Sequence, residues 1–296
     1  MQTYIGIDLG GTRIKGVAID ANRKILHQLY TPTNDGDDLV WKSAILRTVT
    51  ELKSITKDSK PFIGISAPGI TNESNTAIAC MPGRLQGLEE FNWTDYLGHS
   101  TLVINDAIAA LLAEARLGAA KDKENVALLT LGTGVGGAIL IDGKPYQGSF
   151  HKAGHIGHMV IDSEGTPDVT GMPGSLEDAI GNCTIERRSN GRFSQTHELL
   201  EAMRKGDQEA KMIWLLSVRK LAIGLASVSN VLSPELFVLG GGITEAGDDL
   251  FNPLREYLEI YDWRPNGNRA QVVKAVFGDM AGAVGAACYA IESNLK

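Results

Sequence analysis

Two stretches of this chain repeat one plan. IGIDLGGTRIKGVAIDANRKI and LLTLGTGVGGAILIDGKPY each read as strand, Gly/Thr loop, strand, Asp-containing turn, strand. A strand meander cannot bury its apolar face alone, so each copy needs its own sheet and covering helices. The duplication predicts an α/β protein of two related lobes, over 1–117 and 118–280, that would set two glycine loops across a cleft. The polar run 121–125 is the expected junction.

In the first copy, strands are expected at 4–8, 13–20 and 24–30. A helix at 39–55 follows from apolar spacing, then strands at 62–66 and 101–104 and an Ala/Leu-rich helix at 107–117. Trp93 reads as the start of a short helix and as packing. In the second copy, strands at 126–131 and 138–141 flank the loop, and Asp142-Gly143 signals a hairpin turn. Helices are expected at 198–204, 207–232 and 281–291, and strands at 236–239 and 271–277. A chain of 296 residues is long enough for two such cores. The net charge of −7, with no Lys/Arg-dense run, disfavours nucleic acid and anionic membranes as partners. No run reads as near the ~20 apolar residues of a membrane span; the nearest is 280–291. The N-terminus has no basic region and Asp8 interrupts its apolar stretch, so it is not read as a signal peptide. Cys80, Cys183 and Cys288 form no CxxC pair, which points to a reducing cytoplasm.

The loops carry the chemistry. Gly132, Gly134 and Gly137 match G-x-G-x-x-G after a strand, but a hairpin follows where a dinucleotide fold needs a helix. No GK[ST] is present. What remains is a hairpin turn whose N–H groups could cradle phosphate beside Thr130 and Thr133, or a tight turn that needs positive φ. Gly240, Gly241 and Gly242, after another strand, suit close approach to a flat ring. Asp8, beside Gly10, Gly11 and Thr12, could hold Mg²⁺ next to a phosphate, or simply cap its strand. Asn105 and Asp106 lie between a strand and a helix, the usual place for a helix cap. The functional alternative makes Asp106 the acceptor of the proton of an attacking hydroxyl, since phosphoryl transfer needs positioning more than a strong base.

Taken in order, Asp8-Leu-Gly-Gly-Thr12, Asn105-Asp106, Leu131-Gly-Thr-Gly-Val-Gly-Gly137, Gly154-His-Ile-Gly-His158 and Leu239-Gly-Gly-Gly242 resemble the ROK family of sugar kinases. The resemblance runs from about residue 4 to the last helix. It implies a duplicated ribonuclease-H-like fold of the actin/hexokinase type, with the C-terminal helix, about 281–296, returning to the first lobe. It implies ATP and Mg²⁺ as cofactors, with Asp8, Gly10, Gly11 and Thr12 on the phosphate and metal side, Asp8 through water. Gly132, Thr133, Gly134 and Gly137 would bind phosphate, and Gly240, Gly241 and Gly242 would face adenosine. Asp106 would be the catalytic base, and Asn105, His155, His158 and Glu177 would bind the sugar. A small-molecule sugar is the implied partner, and a homodimer is allowed as the assembly.

The sugar side departs from the family. His155 stands where a Glu is usual, and Asp168, Thr170 and Ser175 stand where three zinc-binding cysteines are common. Gly83 stands where the first-lobe sugar loop commonly has Asn. A structural zinc is therefore not expected, and the loop over 168–175 should be held by its Gly/Pro turns and packing alone. His151, His155 and His158 have metal-ligand spacing but read as hydrogen-bonding groups. The expected function is ATP-dependent phosphorylation of a hexose, amino sugar or related carbohydrate other than plain glucose. The alternative is a catalytically weak regulatory protein of the same fold that binds sugar and nucleotide.

Overall fold

A computed structural model describes residues 2–33, 38–81 and 85–294. Gly83 lies outside the described residues. The chain forms two compact units, one of Met1–Asp122, Pro145–Ala153 and Val276–Lys296, the other of Lys123–Lys144 and Gly154–Ala275.

The first unit opens with an antiparallel meander of β1 (Thr3–Leu9), β2 (Arg13–Asp20) and β3 (Ile25–Pro32). β4 (Phe62–Ala67) pairs parallel with β1. A small sheet of β5 (Ile70–Thr71) and β6 (Ile78–Cys80) intervenes, and β7 (Thr101–Asn105) pairs parallel with β4. The main sheet runs β3-β2-β1-β4-β7. Every residue of β1 is buried, as a central strand covered on both faces requires. α1 (Asp38–Thr56), α2 (Trp93–Leu97) and α3 (Asp106–Leu117) belong to this unit. Trp93, fully buried, packs edge-on against Phe91, so its packing role holds.

The second unit repeats the order. β8 (Val126–Leu131), β9 (Val135–Ile141) and β10 (Lys144–Pro145) lead, with β11 (Leu236–Gly240) and β12 (Gln271–Lys274) parallel to β8, giving β10-β9-β8-β11-β12. Asp142 and Gly143 both have positive φ, 49° and 71°, as a type I′ hairpin demands. The unit carries α4 (Leu176–Ile180), α5 (Ile185–Arg188), α6 (Thr196–Arg204), α7 (Gln208–Leu232) and α8 (Asp248–Tyr261).

Three details differ from the expectations. β9 begins at Val135, so Gly137 is strand and the open loop is shorter. The strand at 271–277 ends at Lys274. α7, expected as a helix over 207–232, is by length and composition apolar enough to cross a membrane, unlike the expectation that no run comes near, with half of that stretch buried. Its Trp214, Leu221 and Leu225 sit in the second unit's core, which makes it a core helix.

α9 (Ala281–Asn294) closes the first unit against β1, β4 and α3. It lies so near that a Cβ on Gly6 or Gly64 would overlap the carbonyl oxygens of Ala283 or Ala286, and one on Gly285 that of Ala109. Here glycine is required by backbone meeting backbone, which cannot yield as a side chain can. Gly64→Ala is expected to cost about 1–3 kcal/mol by overpacking, read as a lower midpoint in urea unfolding.

Candidate active site

The candidate residues fall into a group on each unit. On the first, Asp8 sits one residue before the end of β1, directly opposite Lys15 on β2. Lys15 Nζ donates to Asp8 Oδ2 at 2.9 Å, and Ser66 Oγ, from β4, donates to Oδ1 at 2.8 Å. The carboxylate is 8% exposed, and α9 crosses so close that a Cβ on Gly282 would overlap it. Two of its roughly four lone-pair sites are used, which leaves room to accept from a metal's water shell. The turn after β1 is held by Thr33, whose Oγ1 donates to Gly10 O at 2.6 Å and whose N–H donates to Thr12 O at 3.1 Å.

Asn105 is the N-cap of α3. Its Oδ1 accepts from the N–H groups of Ala107 and Ile108, and its Nδ2 donates to Gly69 O at 3.0 Å. The capping reading therefore holds, and one amide hydrogen is left for a ligand. Asp106 follows as the first residue of α3; solvent reaches it, but protein atoms crowd around it. Desolvation by the surrounding protein, with the like charge of Asp8 added, pushes its carboxyl up to about 6.

On the second unit, the loop between β8 and β9 is fixed through its carbonyls. Asn182 N–H donates to Gly132 O and Cys183 N–H to Thr133 O. Gly132 N–H donates to Gly134 O, leaving the N–H groups of Thr133 and Gly134 without a protein partner among the described residues. Gly132, Gly134 and Gly137 do not take positive φ, so the tight-turn reading fails. A Cβ on Gly134 would overlap Glu177 Oε2, while one on Gly132 would meet nothing within 4 Å. Glu177, on α4, accepts from Val135 N–H at 2.9 Å, so it is tied to the glycine loop. At the end of β11, Gly241 does need positive φ, 87°, where it crowds Leu131.

A cavity of about 540 Å³ lies beside this loop, lined by Gly132, Thr133, Asn182, Thr196, His197 and Gly242 among others. Thr196 is 5% exposed and its Oγ1 is buried without a partner. Asn182 Oδ1 accepts from Thr196 N–H at 2.7 Å. Sequence reading missed these residues, as well as Lys15 and Ser66. Only Lys15 left a signal, as the residue facing Asp8 once the β1–β2 register is drawn.

Gly154 and Gly157 let the histidine segment lie on β9, where a Cβ at either would crowd Ala138 or Val135 O. The rings of His155 and His158 stack at 6.4 Å. His151 is not with them. It belongs to the first unit and bonds Thr71 Oγ1 at 3.0 Å.

The segment over 168–175 is not held by turns and packing alone, as was expected. Asp168 Oδ2 lies 2.9 Å from His158 Nδ1, and Oδ1 accepts from Thr170 Oγ1 at 2.7 Å, Thr170 N–H at 2.8 Å and Met172 N–H at 3.1 Å. Ser175 also bonds the Asp168 carboxylate through its side chain. Burial opposes ionisation, but the bonds from Thr170, His158 and Ser175 outweigh it and hold the carboxyl well below the usual carboxylate range. His158, Asp168 and Glu177 each bring one potential ligand atom within 4.8 Å of the others. They do not fit a zinc ion. The Asp168 oxygens are filled by hydrogen-bond donors, Glu177 Oε2 takes the Val135 N–H, and no thiolate is present.

The family described as ROK family matches residues 4–293. A glucokinase of Halalkalibacterium halodurans is 32% identical, over 95% of this chain and 93% of its own length. An N-acetylmannosamine kinase of Vibrio cholerae is 33% identical, over 81% of this chain and 83% of its own length. Among solved structures, a ROK family glucokinase from Streptomyces griseus in complex with glucose and AMPPNP superposes with a TM-score of 0.80 at 27% identity, covering 98% of this chain and 99% of its own.

The loop geometry separates two glycines. Gly132→Ala is expected to keep the melting temperature, since the added carbon meets only open space, yet to weaken binding of a non-hydrolysable ATP analogue about tenfold. Gly134→Ala is expected to lower the melting temperature itself, because Glu177 must move. Calorimetric binding and thermal denaturation of the two variants check both outcomes.

Proposed function

This chain belongs to the ROK family, and on that premise we propose that it is an ATP-dependent kinase of a sugar other than plain glucose. Asp106 carries the reading. A carboxylate at the start of α3, open to solvent and raised to about 6, is ionised at neutral pH and is a better proton acceptor than an ordinary aspartate. It accepts hydrogen-bond character from the sugar hydroxyl as that oxygen attacks the γ-phosphorus, and takes the proton as the bond forms. Asp8, oriented by Lys15 and Ser66, would hold the metal through water. Magnesium, when bound, would neutralise charge on the phosphoryl oxygens. The free N–H groups of Thr133 and Gly134 suit the phosphates, and the orphaned Thr196 hydroxyl suits the nucleoside in the neighbouring cavity.

On the sugar side a carboxylate is replaced by His155. A carboxylate accepts from two hydroxyls at once, whereas a neutral imidazole offers one acceptor and one donor. The pairing suits a substituted or epimeric sugar, and a 2-acetamido hexose such as N-acetylmannosamine, the sugar of one relative, is the leading candidate. The same reading places the protein in the cytoplasm without a structural zinc.

Measuring ATP consumption over hexoses, their 2-acetamido derivatives and glycosides tests the substrate. A substituted sugar is expected to exceed glucose in kcat/KM by about 10²-fold, and His155→Glu to narrow the gap. Glucose turnover at the level of the best sugar, unchanged in His155→Glu, would refute the pocket reading. Asp106→Asn is expected to lower kcat by ~10²–10⁴-fold with nucleotide binding retained. Because the base must be ionised, wild-type kcat/KM should fall as pH drops through about 6 and level off above it; a profile flat from pH 5 to 8 would remove Asp106 as the base.

A further inference from the structure

The Asp168 cluster is built around an anion. Three positions where the family commonly carries zinc-binding cysteines are here Asp168, Thr170 and Ser175. The structure draws all three together with His158, and the node is the Asp168 carboxylate. The Asp168 side chain is only 1% exposed, while that of His158 is 27% exposed. An ionised carboxylate can only accept, so at its 2.9 Å contact His158 Nδ1 must donate. Which ring nitrogen carries the proton is set by the bond the other makes, so the neutral ring keeps its proton on Nδ1 and Nε2 is left as a lone-pair acceptor.

We propose that Asp168 is a positioning residue that fixes His158 Nε2 as a hydrogen-bond acceptor toward the substrate. A metal held by Nδ1 would leave the proton on Nε2, which would then donate. The carboxylate reverses that polarity. The substrate group at this contact must therefore be a donor, an O–H or an amide N–H, and a bare ether or carbonyl oxygen is rejected there. This deepens the sugar-kinase reading and rests on it for the identity of the substrate, but the state of the ring is a property of the free protein.

Asp168→Asn separates the two functions of the carboxylate. The amide Oδ1 still accepts from Thr170 and Met172 and keeps the loop, but its Nδ2 donates toward His158 and moves the ring proton to Nε2. The experiment is ¹⁵N NMR of the histidine side chains in the wild-type protein, with His158→Gln for assignment, beside metal analysis and steady-state kinetics with the best sugar of the panel. The wild type is expected to show protonated Nδ1, unprotonated Nε2 and no stoichiometric zinc. Asp168→Asn is expected to show the opposite tautomer and about a tenfold higher sugar KM, with ATP KM unchanged and kcat affected less. A protonated Nε2 in the neutral wild-type ring, or one zinc per chain whose removal alters the His158 signals, overturns the proposal without any variant having to fold. An inverted tautomer with unchanged sugar KM overturns the positioning role. A panel without any turnover would defeat the kinase reading while the spectra still decide the ring.

Discussion

The contact on which the first unit depends is the meeting of α9 with the sheet at backbone distance. Gly6 and Gly64 on adjacent strands leave space for the carbonyls of Ala283 and Ala286, and Gly285 leaves space for that of Ala109. Dense packing of this kind transmits position without slack. It brings Gly282 against Asp8 and thereby fixes how far that carboxylate stands from Ser66 and Lys15. The charged group is placed by apolar contacts, and its two partners only orient it.

Much of this was legible. The repeated strand–loop–strand plan becomes two sheets of identical order, because each meander takes two parallel strands onto its first strand. Asn105 reads as a cap and is one. α8 was not legible, since Pro253 and scattered charges break its apolar spacing. Neither was the tie of Glu177 to the glycine loop, a hydrogen bond spanning 42 residues that no local pattern encodes. The side-chain bonds that hold the loop over 168–175 are hidden for a related reason. Asp, Thr and Ser look like the loss of a metal site until the fold shows them bonding one another.

On the proposed reading, the two sides of the chemistry are built from different groups. The phosphate side relies on backbone N–H groups and on glycines that keep side chains out of the way, features that tolerate little change. The sugar side relies on side-chain donors and acceptors, which can be exchanged in sets. His158 and Asp168 form such a pair, and changing one alone would strand a polar partner.

The last helix also has a consequence for the order of synthesis. The first unit contains residues from the start of the chain, a short piece at Pro145–Ala153, and Val276–Lys296. On the ribosome its sheet strands emerge before the second unit, yet its closing helix emerges after it. The second unit has all of its sequence by Ala275 and can complete its core while the older unit still exposes the glycine-lined faces of β1 and β4. Of the two units the one begun earlier is thus finished later, and a nascent chain stalled before residue 281 would hold a complete second unit and an unsealed first one.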